Sequence, residues 1–226
     1  MPGLLRDKIY QKIKRDILTG VYKPGEQLSA NQVAGQFDIS ATPVREALNL
    51  LEQEGFIEVL PRIGFFVARI TVKDIRDMYD YRIIVEGAAA ELAARYIAQN
   101  ELDYLESIPS DYLMGDSESY LKYLENNREF HLSIAKASRN NVLAKAVAMT
   151  LDQMQRLVYL GIGSSTHTDA ILQAHPRLVE ALRARDCQLA RQVMIEGIEA
   201  ARDATINQIV HGESLAVQPS THTEPR

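Results

Sequence analysis

The sequence predicts a mainly α-helical protein with two parts, an N-terminal winged helix-turn-helix over residues 1–70 and a C-terminal all-α bundle over residues 71–210. Three short helical patterns followed by a two-stranded hairpin pattern predict the first part. Apolar residues then recur at helical spacing almost without interruption, which predicts the second part. The polar, patternless segment 211–226 is expected to be a disordered tail.

The composition indicates an ordinary globular protein. The chain has 226 residues and is 46% hydrophobic, so it can bury a sizeable core. It contains no apolar run long enough to span a bilayer and no apolar signal segment at its start, so neither feature is expected. The single cysteine, Cys187, excludes an intrachain disulfide and fits a reducing compartment, so we expect a cytoplasmic location.

The charge is unevenly distributed. Residues 1–70 contain 9 Lys and Arg against 8 Asp and Glu, a balance of +1, whereas residues 71–226 contain 16 against 22, a balance of −6. The first part is therefore close to neutral, and bulk charge alone does not identify a nucleic-acid binder. Such a function has to be argued from the positions of individual basic residues.

Turn and capping residues delimit the first two helices. Residues 5–19 carry a helical apolar face, and Gly20 follows as a stop signal. Pro24-Gly25 predicts a turn. Ser29 is placed to cap the second helix, whose apolar residues are Val33, Ala34 and Phe37.

A third helix and a hairpin complete the predicted first part. Ser40 or Thr42 can cap this helix, and Pro43 is tolerated in its first turn because the missing N–H would be unsatisfied there. Gly55 ends it. The β-rich runs FIEVL and FFVARI, joined by PRIG, predict the hairpin.

The start of the third helix and the tip of the hairpin carry the candidate DNA contacts. In a winged helix-turn-helix the first turn of the recognition helix faces base edges and phosphates, and here it offers Ser40, Thr42 and Arg45. Arg62 and Gly64 lie at the wing tip, where the backbone can approach a phosphate or the minor groove. The alternative is that both arginines are ordinary solvated charges.

Several consecutive motifs in this region resemble the GntR family of bacterial transcription regulators. These are PGEQLS, VAGQF, ISATPVREALNLLEQEG and PRIGFFV, all in register within residues 5–70. The resemblance implies a homodimer that binds palindromic double-stranded operator DNA. It also implies DNA contacts at Thr42, Arg45, Arg62 and Gly64 and, more weakly, at Ser40 and Asn31.

Two departures from the family pattern bear on DNA recognition. Ala41 stands where the family usually has Arg, and Ala30, Asn31 and Gln32 stand where the second helix usually offers charged residues. Loss of an arginine contact costs about 1–3 kcal/mol. We therefore expect an operator that differs from the common family consensus, or weaker binding.

The helical part resembles the FCD ligand-binding domain of the FadR subfamily. The matching stretches are MYDYRIIVEGAAAELAA, NREFHLSIAKASRNNVL and AHPRLVEALRARDCQLA, within residues 71–210. The resemblance implies a bundle that encloses one cavity and pairs two chains. It also implies a small carboxylate as effector and, in many members, a divalent metal in the cavity.

The residues themselves indicate such a cavity. Arg82 falls within the apolar face of the first long helix, where it needs either a ligand anion or a partner, the alternative being an ion pair with Glu86 one turn on. Asn127 and His131 lie one turn apart on an apolar face, and His175 lies on another. We expect Arg82, Asn127, His131 and His175 to bind the effector.

A tightly held metal is not expected. The family set resembles an Asp and a His one turn apart plus two later His, but here Asn127 replaces the Asp and Gly197 replaces the last His. His131 and His175 would be the metal ligands if there were any, and two His seldom retain zinc alone. Gly197 could open room for a larger effector, and Pro176 predicts that a helix starts or kinks at His175.

The leading functional hypothesis is a DNA-binding transcription regulator, a repressor, that is not an enzyme and whose operator binding is modulated by a small-molecule effector. The alternative class is a metal-assisted helical enzyme that acts on a small acid. Against it, the sequence offers no nucleophile elbow, phosphate loop, HExxH motif or usefully spaced carboxylate pair. A third possibility is a regulator whose input is another protein.

Overall fold

The computed structural model describes residues 2–110, 117–159 and 169–210. The chain divides into two compact units, an N-terminal unit up to Thr71 and a helical unit from Val72 onward. The predicted tail, 211–226, lies outside the described residues. The mainly α-helical class, with a small sheet confined to the N-terminal unit, is confirmed.

The N-terminal unit contains three helices and three short antiparallel strands. The strand order is β1-β3-β2, and Leu60 lies opposite Gly64 where β2 turns into β3. In chain order, the elements are α1 (Pro2–Leu18), β1 (Gln27–Leu28), α2 (Ala30–Gln36), α3 (Ala41–Gln53), β2 (Ile57–Leu60) and β3 (Gly64–Val67).

The capping residues act largely as the sequence predicts. The Ser29 hydroxyl accepts a hydrogen bond from the backbone N–H of Gln32 at the start of α2, at 3.4 Å. Gly20 and Gly55 have positive φ angles of 70° and 75° just beyond α1 and α3, a conformation that favours glycine. Ser40 occupies the N-cap position of α3, but its side chain makes no capping hydrogen bond.

One apolar core holds this unit together. The inward stripe of α1 (Ile9, Ile13 and Ile17) packs with the inward stripe of α3 (Val44, Ala47, Leu48 and Leu51) and with residues from α2 and the sheet. Because one face of α3 is buried in this core, the opposite face is exposed to solvent.

The helical unit contains six described helices, and one of them is central. That central helix, α4, packs against four of the others. In chain order, the helices are α4 (Val72–Tyr96), α5 (Gln99–Ser107), α6 (Ser117–Ala137), α7 (Asn141–Tyr159), α8 (Asp169–Arg183) and α9 (Cys187–Val210). Within the described ranges, none of the helices is long and apolar enough to cross a membrane.

Prolines bear on two helices of this unit. α5 ends at Ser107, because Pro109 disfavours helical geometry at Ile108. We expected a helix to start or kink at His175. The predicted helix start at His175 is wrong, because α8 begins at Asp169 and continues through Pro176.

Candidate nucleic-acid interface and effector site

The outward face of α3 presents the predicted recognition residues to solvent. Thr42 and Arg45 lie one turn apart and are both exposed, as are Ser40 before the helix and Asn31 on α2. Arg45 makes no ion pair with any side chain in the described part of the chain. Its guanidinium is therefore available to a phosphate or a guanine edge.

The wing tip is a tight turn with a strained residue. The backbone N–H of Ile63 donates to the carbonyl of Leu60 at 3.0 Å, which closes a turn with Pro61 in second position. Arg62, in third position, is exposed and has a φ of 68°, as a type II turn requires. Gly64 has a φ of 136°, and a Cβ there would lie 3.3 Å from the side-chain nitrogen of Gln27.

A buried charge cluster forms inside the helical unit. The Nε of Arg82 donates to Oε1 of Glu86 at 2.6 Å, and both side chains are almost fully buried. The other carboxylate oxygen, Oε2, lies 2.5 Å from Nδ1 of His131 on α6. Neither of these last two atoms has another hydrogen-bond partner among the described residues. Arg82 is thus paired with Glu86, which the sequence offered as the alternative to a ligand anion.

His175 joins the same cluster through ring contacts. Its imidazole stacks on Phe130 with ring centroids 3.8 Å apart and an angle of 15° between the planes. It meets the His131 ring edge-on, with centroids 5.5 Å apart. The fold thus brings Arg82, His131 and His175 together from three helices. Asn127 is half-buried one turn before His131.

The cluster shifts the titration of two of its members. Burial alone would raise the pKa of Glu86, but the charges of Arg82 and His131 outweigh it and lower the pKa to about 2. Burial lowers the pKa of His175 to about 3, and the charge of His131 adds to this effect. At neutral pH, therefore, Glu86 is a carboxylate and His175 is a neutral imidazole.

A cavity of about 220 Å³ opens beside His175. Its walls come from α5, α6 and α8 and include Phe130, Leu105 and Val179, while Glu106, Glu180 and Arg183 supply charges. Arg183 and Glu106 form an ion pair. Of the four predicted effector residues, only His175 lines this cavity.

Two donor atoms of the cluster face each other. Glu86 Oε2 lies 2.5 Å from His131 Nδ1, closer than two ligands of one zinc ion stand, so these two atoms do not share an ion. Within the described ranges, no three His, Cys, Asp or Glu side chains are grouped so as to hold a metal. The expectation that no metal is required stays a prediction.

Gly197 has a different role from the one the sequence suggested. We expected it to open room for an effector, but a Cβ on Gly197 would lie 2.9 Å from the Cβ of Ala174 on α8. The glycine instead permits close contact between α8 and α9, next to His175.

Replacement of Gly197 by Ala is therefore expected to destabilise the helical unit. Overpacking costs about 1–3 kcal/mol, against roughly 1 kcal/mol that alanine gains in helix propensity, and the Ala174 Cβ cannot rotate out of the way. Urea unfolding followed by circular dichroism measures the change. Gly35→Ala is the matched control, because a Cβ at this helical glycine would meet nothing within 4 Å. Equal stability of the two variants would contradict the close contact.

Acid is expected to destabilise the helical unit in two stages. His175 and Glu86 both have folded-state pKa values below their unfolded values, so the unfolded chain binds more protons and stability falls as pH falls. The His175 contribution is lost from about pH 6.5 downward, at up to about 1.4 kcal/mol per pH unit, and the Glu86 contribution below about pH 4.5.

Urea unfolding at a series of pH values, with EDTA present throughout, measures this dependence. His175→Leu is expected to flatten the curve between pH 6.5 and 4.5 and to leave the lower stage in place. A His175→Leu curve parallel to that of the unaltered chain would show that His175 is not held neutral by burial.

Two features of this site were not predicted from the sequence. Glu86 was considered only as a partner of Arg82, whereas the same carboxylate also faces His131, 45 positions away on another helix. Phe130 was also passed over, and its only signal was its position beside His131 on the same helix. Neither contact has a signature in local spacing, because both depend on how the helices pack together.

The chain matches two protein families over adjacent ranges. Residues 5–67 match the bacterial regulatory proteins of the gntR family, and residues 77–200 match the FCD domain. Among curated proteins, it is 28% identical to the HTH-type transcriptional regulator YdhC of Bacillus subtilis, over 82% of this chain and 84% of the relative. It is 24% identical to the HTH-type transcriptional repressor RspR of Escherichia coli, over 86% of each.

Solved structures share the fold. E. coli McbR/YncC has a TM-score of 0.73 at 23% identity and covers 91% of this chain and 98% of its own. A GntR transcriptional regulator from Rhodococcus sp. RHA1 has a TM-score of 0.69 at 20% identity, over 89% of this chain and 97% of its own. Both resemblances from the sequence are thus confirmed, and the relatives are transcriptional regulators rather than enzymes.

Proposed function

Because the chain belongs to the GntR family of bacterial regulatory proteins and carries an FCD domain, we propose that this transcriptional regulator is an effector-controlled repressor. It binds a palindromic operator as a homodimer in the cytoplasm and leaves the DNA when a small molecule binds the helical unit. The exposed face of α3 carries the DNA-binding part of the proposal. Burial of the opposite face leaves Thr42 and Arg45 facing solvent, and Arg45 has no ion-pair partner among the described residues.

The proposed DNA contacts divide into two groups. Thr42 and Arg45, with Ser40 and Asn31 beside them, read the major groove and its phosphates. Arg62 and Gly64 place the wing against the flanking backbone. The absence of an Arg at Ala41 supports the expectation of an operator that differs from the common family consensus.

The proposed effector is a small carboxylate that competes with Glu86. In the buried cluster, the one carboxylate of Glu86 contacts both Arg82 and His131. An effector carboxylate that reached these side chains would replace one or both contacts and alter the packing of α4 against α6. Asn127 and His175 would contact the rest of the molecule. Such binding can shift the population between DNA-binding and non-binding states of the dimer.

An exposed apolar pair on α4 supports the proposed dimer. Tyr81 and Ile84 are 47% and 63% exposed and lie one turn apart on one face of the helix. Apolar side chains on a helix face are typical of surfaces that pack against a second copy. The enzyme alternative has no support, because the matched relatives are regulators.

In vitro selection tests the proposal. The purified full-length chain is incubated with a randomised duplex library, and enrichment of a palindromic sequence is the expected result. A panel of small carboxylates is then screened by thermal shift, with and without EDTA, and the stabilising compounds are added to gel shifts. If no sequence is enriched, the proposed DNA-binding function is wrong. If sequences are enriched but no stabilising compound releases the protein from DNA, only the proposed effector control is wrong.

A further inference from the structure

The wing tip presents an exposed aliphatic side chain that is not among the proposed DNA contacts. Ile63 is 62% exposed, between Arg62 and Gly64. Single exposed apolar residues are common on proteins, so exposure alone indicates nothing. The way in which Ile63 is held is the informative feature.

Both backbone polar groups of Ile63 are fixed. Its N–H donates to the carbonyl of Leu60, and its own carbonyl accepts a hydrogen bond from the side chain of Gln27, both at 3.0 Å. Gln27 belongs to β1, which pairs with β3 directly after the turn. The turn is therefore braced from two sides, and the Ile63 side chain is held at the tip of a rigid hairpin.

The neighbours of Ile63 suit close approach to a nucleic acid. Arg62 adopts a left-handed conformation that glycine would adopt with less strain, yet it is the residue that supplies a positive charge. Gly64 has no side chain to obstruct the approach of a backbone. The tip thus presents a charge, an aliphatic side chain and bare backbone in succession.

We propose that Ile63 is an apolar wedge that enters the minor groove beside the recognition site and partly unstacks one base step. Minor-groove proteins insert Ile, Leu, Phe or Met in this way and bend the duplex. Pyrimidine–purine steps unstack most easily, so Ile63 selects such a step without hydrogen bonds to bases. This inference rests on the proposed DNA-binding function, and Ile63 adds sequence preference through DNA deformation.

The test uses the full-length chain and the duplex that it enriches by selection. A 2-aminopurine placed at each flanking step in turn reports unstacking by its fluorescence, and a donor–acceptor pair at the duplex ends reports bending. The variants are Ile63→Ala, Ile63→Lys and Arg62→Ala. Val21→Ala is the matched control, because Val21 is an equally exposed aliphatic residue, at 62%, outside the wing.

We expect the unaltered chain to raise the fluorescence at one flanking step and to bend the duplex. Ile63→Ala and Ile63→Lys lose both signals and the preference at that step, and they retain the preferences set by α3. Arg62→Ala keeps the fluorescence signal and lowers the salt slope of binding by about 1 in each half-site, or about 2 for the dimer. Val21→Ala matches the unaltered chain.

Unstacking and bending that persist in Ile63→Ala, or that the unaltered chain never produces on its selected duplex, would overturn the wedge and leave the DNA-binding function intact. A chain that selects no sequence would overturn both. Circular dichroism of each variant establishes that its fold is retained.

Discussion

Replacement of Glu86 by Leu is expected to destabilise the helical unit by about 3–5 kcal/mol, the cost of breaking a buried ion pair by removing one partner. The guanidinium of Arg82 would lose the carboxylate that it contacts at 2.6 Å and would remain charged inside the bundle. His131 would lose the same carboxylate. Urea unfolding of the full-length chain, followed by circular dichroism, measures the loss.

Two further variants separate the buried charge from a general effect of changing α4. Glu91→Leu is the matched control on the same helix, because Glu91 pairs with Arg95 and Arg191 at the surface, where such pairs contribute about 0–1 kcal/mol. The double variant Arg82→Met, Glu86→Leu should recover much of the stability, since it leaves no buried guanidinium without its carboxylate. If Glu86→Leu cost no more than Glu91→Leu, the cluster would not be a stabilising charge network.

Replacement of Arg45 by Ala is expected to weaken operator binding strongly. One lost arginine contact costs about 1–3 kcal/mol, and about 1.4 kcal/mol corresponds to tenfold in affinity. A dimer on a palindrome loses the contact in both half-sites, so the total reduction exceeds about tenfold. Stability should be unchanged, because the Arg45 side chain is exposed and has no partner in the described part of the chain.

Gel shifts with the selected duplex at fixed salt measure this effect. Arg15→Ala is the matched control, because Arg15 is an exposed arginine of the same unit that lies on α1, outside α2, α3 and the wing. It removes the same charge and should reduce affinity only slightly. Equal losses for the two variants would mean that Arg45 contributes bulk charge and makes no specific contact.

The N-terminal unit could be predicted closely from the sequence. Spacing of Val44, Ala47, Leu48 and Leu51 defines the buried face of α3, and burial of that face leaves Thr42 and Arg45 outside. These relations hold within one helix or one turn, where the chain itself fixes the distances. The exposed Ile63 was the feature missed, because the sequence marks it only as one residue of the turn PRIG.

The candidate effector site could be predicted only in part. Arg82, His131 and His175 were expected at one site because each lies on an apolar helix face, and the structure places them together. The contacts that these three side chains make could not be predicted from the helix faces. Whether Arg82 faces an anion or Glu86 depends on side-chain rotamers and on the carboxylate's second contact across the bundle.

The sequence by itself determined the N-terminal helices and the hairpin, their order and the residues that α3 exposes, because these follow from periodicity and capping over a few neighbouring positions. It did not predict β1, because two residues next to the Pro24-Gly25 turn carry no strand pattern of their own. Tertiary structure alone decided that Glu86 links α4 to α6 and that Gly197 packs against Ala174. The physical reason is that contacts between helices depend on their crossing geometry and close packing, which many residues set together and no local spacing records.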